Sequence, residues 1–264
     1  MKQPNTSDSK GGRSTNLVPR AWTPSQFKPK TLANARALAD EPAATQANAE
    51  NKKHNVREYT LGEEIANSVT HGVGALLSVA AIPVLVVKAL DDGGGIYLFA
   101  ALIYTISMLM EYVMSTLYHA IAAEKAKRVF KVLDHSFIYL FIAGSYTPFC
   151  LISLADAGGM WLCVAVWALA VAGVACEAFW VFRPRWISAV LYLLMGWCIV
   201  WFLPALIAAL PAPGLWLLVG GGVCYSIGAV FYVFKKIPYM HSIFHLWVLA
   251  GSICQFVAIT FYVM

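Results

Sequence analysis

The chain has 264 residues, of which 59% are hydrophobic and 12% charged. So little charge excludes an ordinary soluble domain and marks an integral membrane protein. The formal net charge of +5 is no argument for nucleic-acid binding, because Lys and Arg lie mainly in a polar leader and in short loops between apolar segments.

Residues 1–60 are rich in Lys, Arg, Asn, Ser and Pro. They contain no apolar stretch of the kind a secretory signal needs, and their composition predicts a disordered cytoplasmic tail. Residues 61–264 form the membrane domain. A bilayer core needs about 20 apolar residues per helix. Seven segments qualify: Ser68–Leu90, Ile96–Ala120, Val132–Leu154, Gly159–Phe182, Trp186–Leu210, Gly214–Phe234 and Tyr239–Met264. The expected fold is all-α, a bundle of seven transmembrane helices. Pro83, Pro148 and Pro204 lie within spans and are expected to kink or widen them. Pro238 is placed as a first-turn proline of the seventh span. Gly220, Gly221, Gly222 and Gly228 permit close helix approach in the sixth. The six cysteines form no Cys-x-x-Cys pair and read as small packing residues.

The connections alternate in charge. Those after spans 2, 4 and 6 hold Lys125, Lys127, Arg128 and Lys131, then Arg183 and Arg185, then Lys235 and Lys236. Those after spans 1, 3 and 5 hold no Lys or Arg. Basic short loops stay in the cytoplasm, so the N-terminus is expected there and the C-terminus outside.

On that orientation the intramembrane polar residues converge. His119 ends span 2, Asp134 opens span 3, and His241 and His245 open span 7, all at the cytoplasmic side. His241 and His245 are four residues apart, one helical turn, so their imidazoles share a face. Ionisable groups in a bilayer are costly and are functional candidates by default. Three neutral imidazoles plus a water make an open tetrahedral zinc site, the pattern of catalytic zinc. Zinc lowers the pKa of its water toward about 7. Asp134 suits the general base or the orienter of that water. Ser115, one turn before His119, suits a bond to the water, to a substrate carbonyl or to Asp134. The pair lacks the Glu of His-Glu-x-x-His, so this is not a zincin helix. The competing reading is histidines bonded to backbone or to one another across helices. Haem is disfavoured, because two histidines on one helix face cannot ligate its opposite faces.

Other polar residues are assigned lesser parts. His135 points about 100° from Asp134 and reads as a hydrogen-bonding residue. Glu63, Asn67 and His71 recur at i, i+4 near the start of span 1 and either cap the helix or line the site entrance. Glu111, two turns outward of His119, either reaches a wet cavity or is protonated. Glu177 is expected to pair with Arg183 or Arg185 at the interface.

Several stretches carry a resemblance. They are Glu64-Ile65-Ala66-Asn67-Ser68-Val69-Thr70-His71-Gly72, Ser115-Thr116-Leu117-Tyr118-His119, Leu133-Asp134-His135-Ser136-Phe137-Ile138-Tyr139 with Ala143-Gly144-Ser145-Tyr146-Thr147-Pro148, and His241-Ser242-Ile243-Phe244-His245-Leu246. From about Tyr59 onward the chain resembles the bacterial haemolysin III family, which is similar to the progestin and adipoQ receptors and, more distantly, to the alkaline ceramidases. The resemblance implies a seven-helix bundle with a cytoplasmic N-terminus in the cell membrane. It also implies zinc on His119, His241 and His245, with Ser115 and Asp134 beside it. For the better-studied relatives it implies hydrolysis of a lipid amide such as ceramide. Many relatives carry histidine where this chain has Gln255, about 15 Å outward of His245. The first expectation is therefore a zinc-dependent membrane hydrolase of a lipid amide or ester, acting on a membrane lipid or fatty-acyl substrate. The alternative is a non-enzymatic receptor-like or membrane-homeostasis regulator with a structural zinc. A transporter ranks last, because no inverted repeat is visible.

Overall fold

A computed structural model describes residues 59–234 and 237–264. All but the last two residues of the expected tail, together with Lys235 and Lys236, lie outside the described residues. Eight α-helices among the described residues build seven spans. They are α1 (Leu61–Asp91), α2 (Gly95–Ala120), α3 (Glu124–Pro148), α4 (Gly159–Trp180), α5 (Arg185–Gly196), α6 (Leu203–Ala209), α7 (Ala212–Val233) and α8 (Met240–Tyr262). Helices α5 and α6 together make the fifth span. Successive helices α1 to α4 pack against one another, α7 packs on α8, and α8 returns to α1. The chain is thus the expected all-α seven-span membrane protein. Its outer surface shows Trp161, Phe179, Trp201 and Phe261, the exposure of large apolar side chains that lipid tolerates and water does not.

Two helices begin earlier than apolar content predicts. Helix α1 starts at Leu61 because Thr60 forms a capping box with Glu63: the Glu63 amide donates to Thr60 Oγ1 (3.3 Å) and the Thr60 amide to Glu63 Oε2 (2.9 Å). Such reciprocal bonds satisfy two otherwise orphaned donors, so of the two parts expected for Glu63, it takes the cap. Helix α3 starts at Glu124, and the basic residues expected in a loop are in its first turns. Lys127 is even buried, with Nζ donating to the Tyr118 carbonyl (2.8 Å).

The prolines behave differently from one another. Pro83 lies inside α1 without ending it. Pro148 closes α3, and the chain continues as a π-helical turn over Phe149–Ser153. Pro204 sits in the first turn of α6, after a 3-10 stretch over Cys198–Phe202 that breaks the fifth span. Pro238 is a correction: it precedes the N-cap of α8, which is Tyr239, and is not in the first turn. Tyr239 has φ 61°, a left-handed conformation that costs a non-glycine residue about 1–2 kcal/mol. Its amide donates to Glu63 Oε1 (3.1 Å), which anchors the entry of α8 to the start of α1.

Among the small residues of α7, Gly221 and Gly228 face α8: a Cβ would stand 2.8 Å from Gln255 Nε2 at the first and 3.1 Å from Trp247 Cβ at the second. Gly220 faces nothing so close. Cys150 and Cys163 are buried, whereas Cys176 is exposed. Glu177 does pair with Arg183, and the pair is buried. Tyr139 OH accepts from Arg183 Nη2 (3.1 Å), and Tyr192 OH donates to Glu177 Oε1 (3.3 Å).

Candidate metal centre

Four helices supply the site: the start of α1, the end of α2, the first half of α3 and the start of α8. The anchoring of Tyr239 on Glu63 brings the first turns of α8 beside Asn67. Asn67 is fully buried and holds both helices: Ser242 Oγ donates to its Oδ1 (2.5 Å), and its backbone carbonyl accepts from His245 Nδ1 (3.2 Å). The structure thereby gathers His119, His241 and His245. Each offers one nitrogen, and these nitrogens lie within 4.8 Å of one another. A zinc–nitrogen distance near 2.1 Å in a tetrahedron asks for nitrogens about 3.4 Å apart, so a small inward movement would close the set. All three side chains are buried, with His241 the most exposed at 8%.

The surroundings select the nitrogens. His119 Nδ1 meets Glu64 Oε2 at 2.7 Å, so its proton belongs on Nδ1. Its Nε2 is buried with no hydrogen-bond partner among the described residues, as is His241 Nδ1. His245 Nδ1 faces the Asn67 carbonyl and Thr70 Oγ1 (3.1 Å), which leaves Nε2 with the lone pair. A carboxylate or carbonyl on the far nitrogen is the usual support for a metal-ligating histidine. Buried lone pairs gathered without donors, two of them on rings backed this way at His119 and His245, fit a metal ion better than they fit hydrogen bonding among themselves.

Asp134 is 6% exposed. Its carboxylate lies within side-chain reach of Ser115 and within electrostatic reach of His119. Its Oδ2 is 3.3 Å from His135 Nδ1. His135 makes the expected hydrogen bonds, to the Lys131 carbonyl (2.9 Å) and to Tyr232 OH (3.3 Å through Nε2), and stands outside the histidine cluster. Of the five residues singled out from the sequence, His119, His241 and His245 gather as one group, and Asp134 lies within electrostatic reach of it.

Two residues go beyond that expectation. Glu64 was not singled out for the site, yet it bridges His119 Nδ1 and Lys127 Nζ (2.8 Å). Its signal was position: it precedes Asn67 by three residues on the same helical stripe. Removing its charge with Glu64→Gln is expected to weaken metal affinity roughly tenfold to hundredfold with the fold retained. A chelator-competition titration measures this, and unchanged affinity would show that Glu64 does not tune the ligand. His71 is the second. Its ring stacks on His245 at 3.5 Å between centroids, closer to the cluster than an entrance residue.

A cavity of about 370 Å³ adjoins the centre. His71, Tyr232 and Phe244 line it at the histidine end, and Leu206, Leu215 and Gln255 at the other. Phe244 and Gln255 are eleven residues apart on α8, about 16 Å along its axis. Trp197, Ile199 and Val200 of the broken fifth span form part of the wall. The volume falls in the range of small-molecule sites, about 300–1,000 Å³.

Comparison with known proteins adds the following. Residues 59–256 match the family described as haemolysin-III related. The chain is 43% identical over 202 residues to hemolysin-3 of Bacillus cereus, covering 76% of this chain and 92% of that protein. It is 43% identical over 204 residues to the hemolysin-3 homolog of Bacillus subtilis strain 168, covering 77% and 96%. It is 30% identical over 217 residues to the human monocyte to macrophage differentiation factor, covering 76% and 84%.

Proposed function

The chain belongs to the haemolysin III family, and from that footing we propose that it is a zinc-dependent hydrolase of a lipid amide or ester in the cell membrane. The observation that carries this reading is the mainly apolar cavity that reaches His71, whose ring stacks on the candidate ligand His245. A structural metal alone would need no such space. Nothing in the helices builds a pore-forming toxin, so the family name is taken as a phenotype and not as a mechanism. The alternating loop charges support a reaction at the cytoplasmic side.

In this proposal His119, His241 and His245 hold the metal. Bound zinc supplies Lewis-acid polarisation of a carbonyl and acidifies a water near neutral pH. The cavity holds the acyl chain and excludes bulk water, which strengthens charge interactions around the carbonyl. Asp134 accepts the proton of the attacking water at Oδ1, the oxygen not engaged by His135. Ser115 keeps the carboxylate turned by donating to it. The water oxygen adds to the acyl carbon, the carbon–nitrogen or carbon–oxygen bond breaks, and the proton on Asp134 passes to the leaving amine or alcohol. Acid and base duties thus fall to one carboxylate.

The test is release of free fatty acid by the purified, zinc-loaded chain from a panel of long-chain N-acyl amides and acyl esters. Turnover on at least one class is expected. No release across the panel at full zinc occupancy would favour the non-enzymatic regulator with a structural metal.

A further inference from the structure

Beyond the histidine end of the cavity, α2 and α8 contribute a polar layer outside the metal centre. Glu111 lies eight residues before His119 and Ser252 seven after His245, about 12 Å and about 10 Å along their helices. Within this layer Ser252 Oγ donates to the Val248 carbonyl (3.0 Å). Its single proton being committed there, both tyrosine hydroxyls donate to it: Tyr112 OH at 2.7 Å and Tyr225 OH at 3.1 Å. Gln255 Nε2 donates to the Leu218 carbonyl (3.4 Å). The hydroxyl protons of the layer are all engaged, and acceptors are left over. Glu111 Oε2 and Gln255 Oε1 are buried with no hydrogen-bond partner among the described residues. Both residues are more than nine-tenths buried, at 3% and 6% exposure, and both line the cavity. A buried acceptor without a donor is costly, and a carboxyl group in the bilayer interior more so.

We propose that the cavity takes an amphiphile whose chain carries a hydrogen-bond donor, a hydroxyl or an ammonium group, about 12 Å from the reacting carbonyl, with Glu111 as the residue that selects it. This rests on the reading of the cavity as an acyl-chain site. A plain saturated chain would leave Glu111 Oε2 unpaired, whereas a donor at that depth satisfies it and makes the layer a ruler for the position of the substituent. Gln255 offers the same kind of acceptor one turn farther along. A hydroxyl fits Glu111 in either protonation state, because it both donates and accepts. An ammonium fits only the ionised carboxylate.

The experiment measures binding of octadecanoic acid and of its mid-chain hydroxyl and mid-chain amino analogues to the purified zinc-loaded full chain, by displacement of a fluorescent fatty acid. At least one substituted analogue is expected to bind about tenfold tighter than the parent acid, the effect of one buried hydrogen bond. Glu111→Leu is expected to erase that preference while parent binding persists. Glu111→Gln, which keeps the shape and a neutral acceptor, is expected to retain a hydroxyl preference and lose an ammonium one. Equal binding of the three acids to the unmodified chain overturns the inference and leaves the acyl-chain reading standing. Failure of all three to displace the probe overturns the acyl-chain reading, and the inference with it.

Discussion

Asp134→Asn is expected to lower hydrolytic turnover by about 10²–10⁴-fold, the range supplied by a positioned general base, while zinc remains bound. The substitution keeps the volume of the side chain and its ability to accept from Ser115, but an amide cannot take a proton from water at neutral pH. The arrangement around Asp134 supports so specific an effect. Its neighbours His135 and Ser115 are hydrogen-bonding residues, and neither belongs to the histidine set. The measurement is turnover on the best substrate of the acyl panel, with metal content determined on the same preparation. Equal turnover at equal zinc would remove Asp134 from the mechanism. A fall in zinc in step with activity would instead make it a metal-supporting residue.

The second large effect is on the metal. His119→Ala, His241→Ala and His245→Ala are each expected to reduce zinc from one per chain to substoichiometric levels, read by elemental analysis after dialysis. The unmodified chain is expected to lose stability on chelation. With zinc at 1,000 times its dissociation constant, binding contributes about 4 kcal/mol, and the unfolding midpoint in detergent should drop accordingly. The physical reason lies in the buried lone pairs. His119 Nε2 and His241 Nδ1 have no hydrogen-bond partner among the described residues, so without a cation they are unsatisfied acceptors in a medium that penalises them. Full zinc occupancy in all three variants would refute the ligand set. Loss of zinc without loss of midpoint would show that the apo cluster finds other partners.

Hydropathy and loop length made the seven spans legible, because a bilayer sets a minimum length for a helix regardless of its neighbours. The gathering of His119, Asp134, His241 and His245 was legible from depth alone, since alternating spans place their ends at common levels. What depth does not contain is rotation. That Glu64 turns toward His119 while Glu63 caps α1 depends on how α1 is rolled against α2 and α8. The apolar window also began span 1 at Ser68 and so left Glu64 outside the membrane domain's helical core. The same window hid Lys127, whose charge argued for a loop although the partly buried Glu64 carboxylate and a carbonyl hold it inside the first turn of α3. The break of the fifth span was only half visible. Pro204 announced a disturbance, but the 3-10 turn extends back to Cys198, set by how Tyr146 OH bonds the carbonyls of Met195 and Gly196 and accepts from the Ile199 amide.

The hold of Glu63 on the Tyr239 amide has a consequence for how the protein is made. His241 and His245 follow that amide directly and belong to the seventh span, whereas their partner His119 and its support Glu64 belong to the second and first. During synthesis six spans precede the candidate ligands of α8. Until those ligands arrive His119 has its carboxylate but no companions. Any metal held by these three histidines would therefore be acquired late in biogenesis, coupled to the docking of the last helix on the first. A chain stalled or truncated before α8 would expose Asn67, His71 and His119 to lipid and mark itself as unfinished.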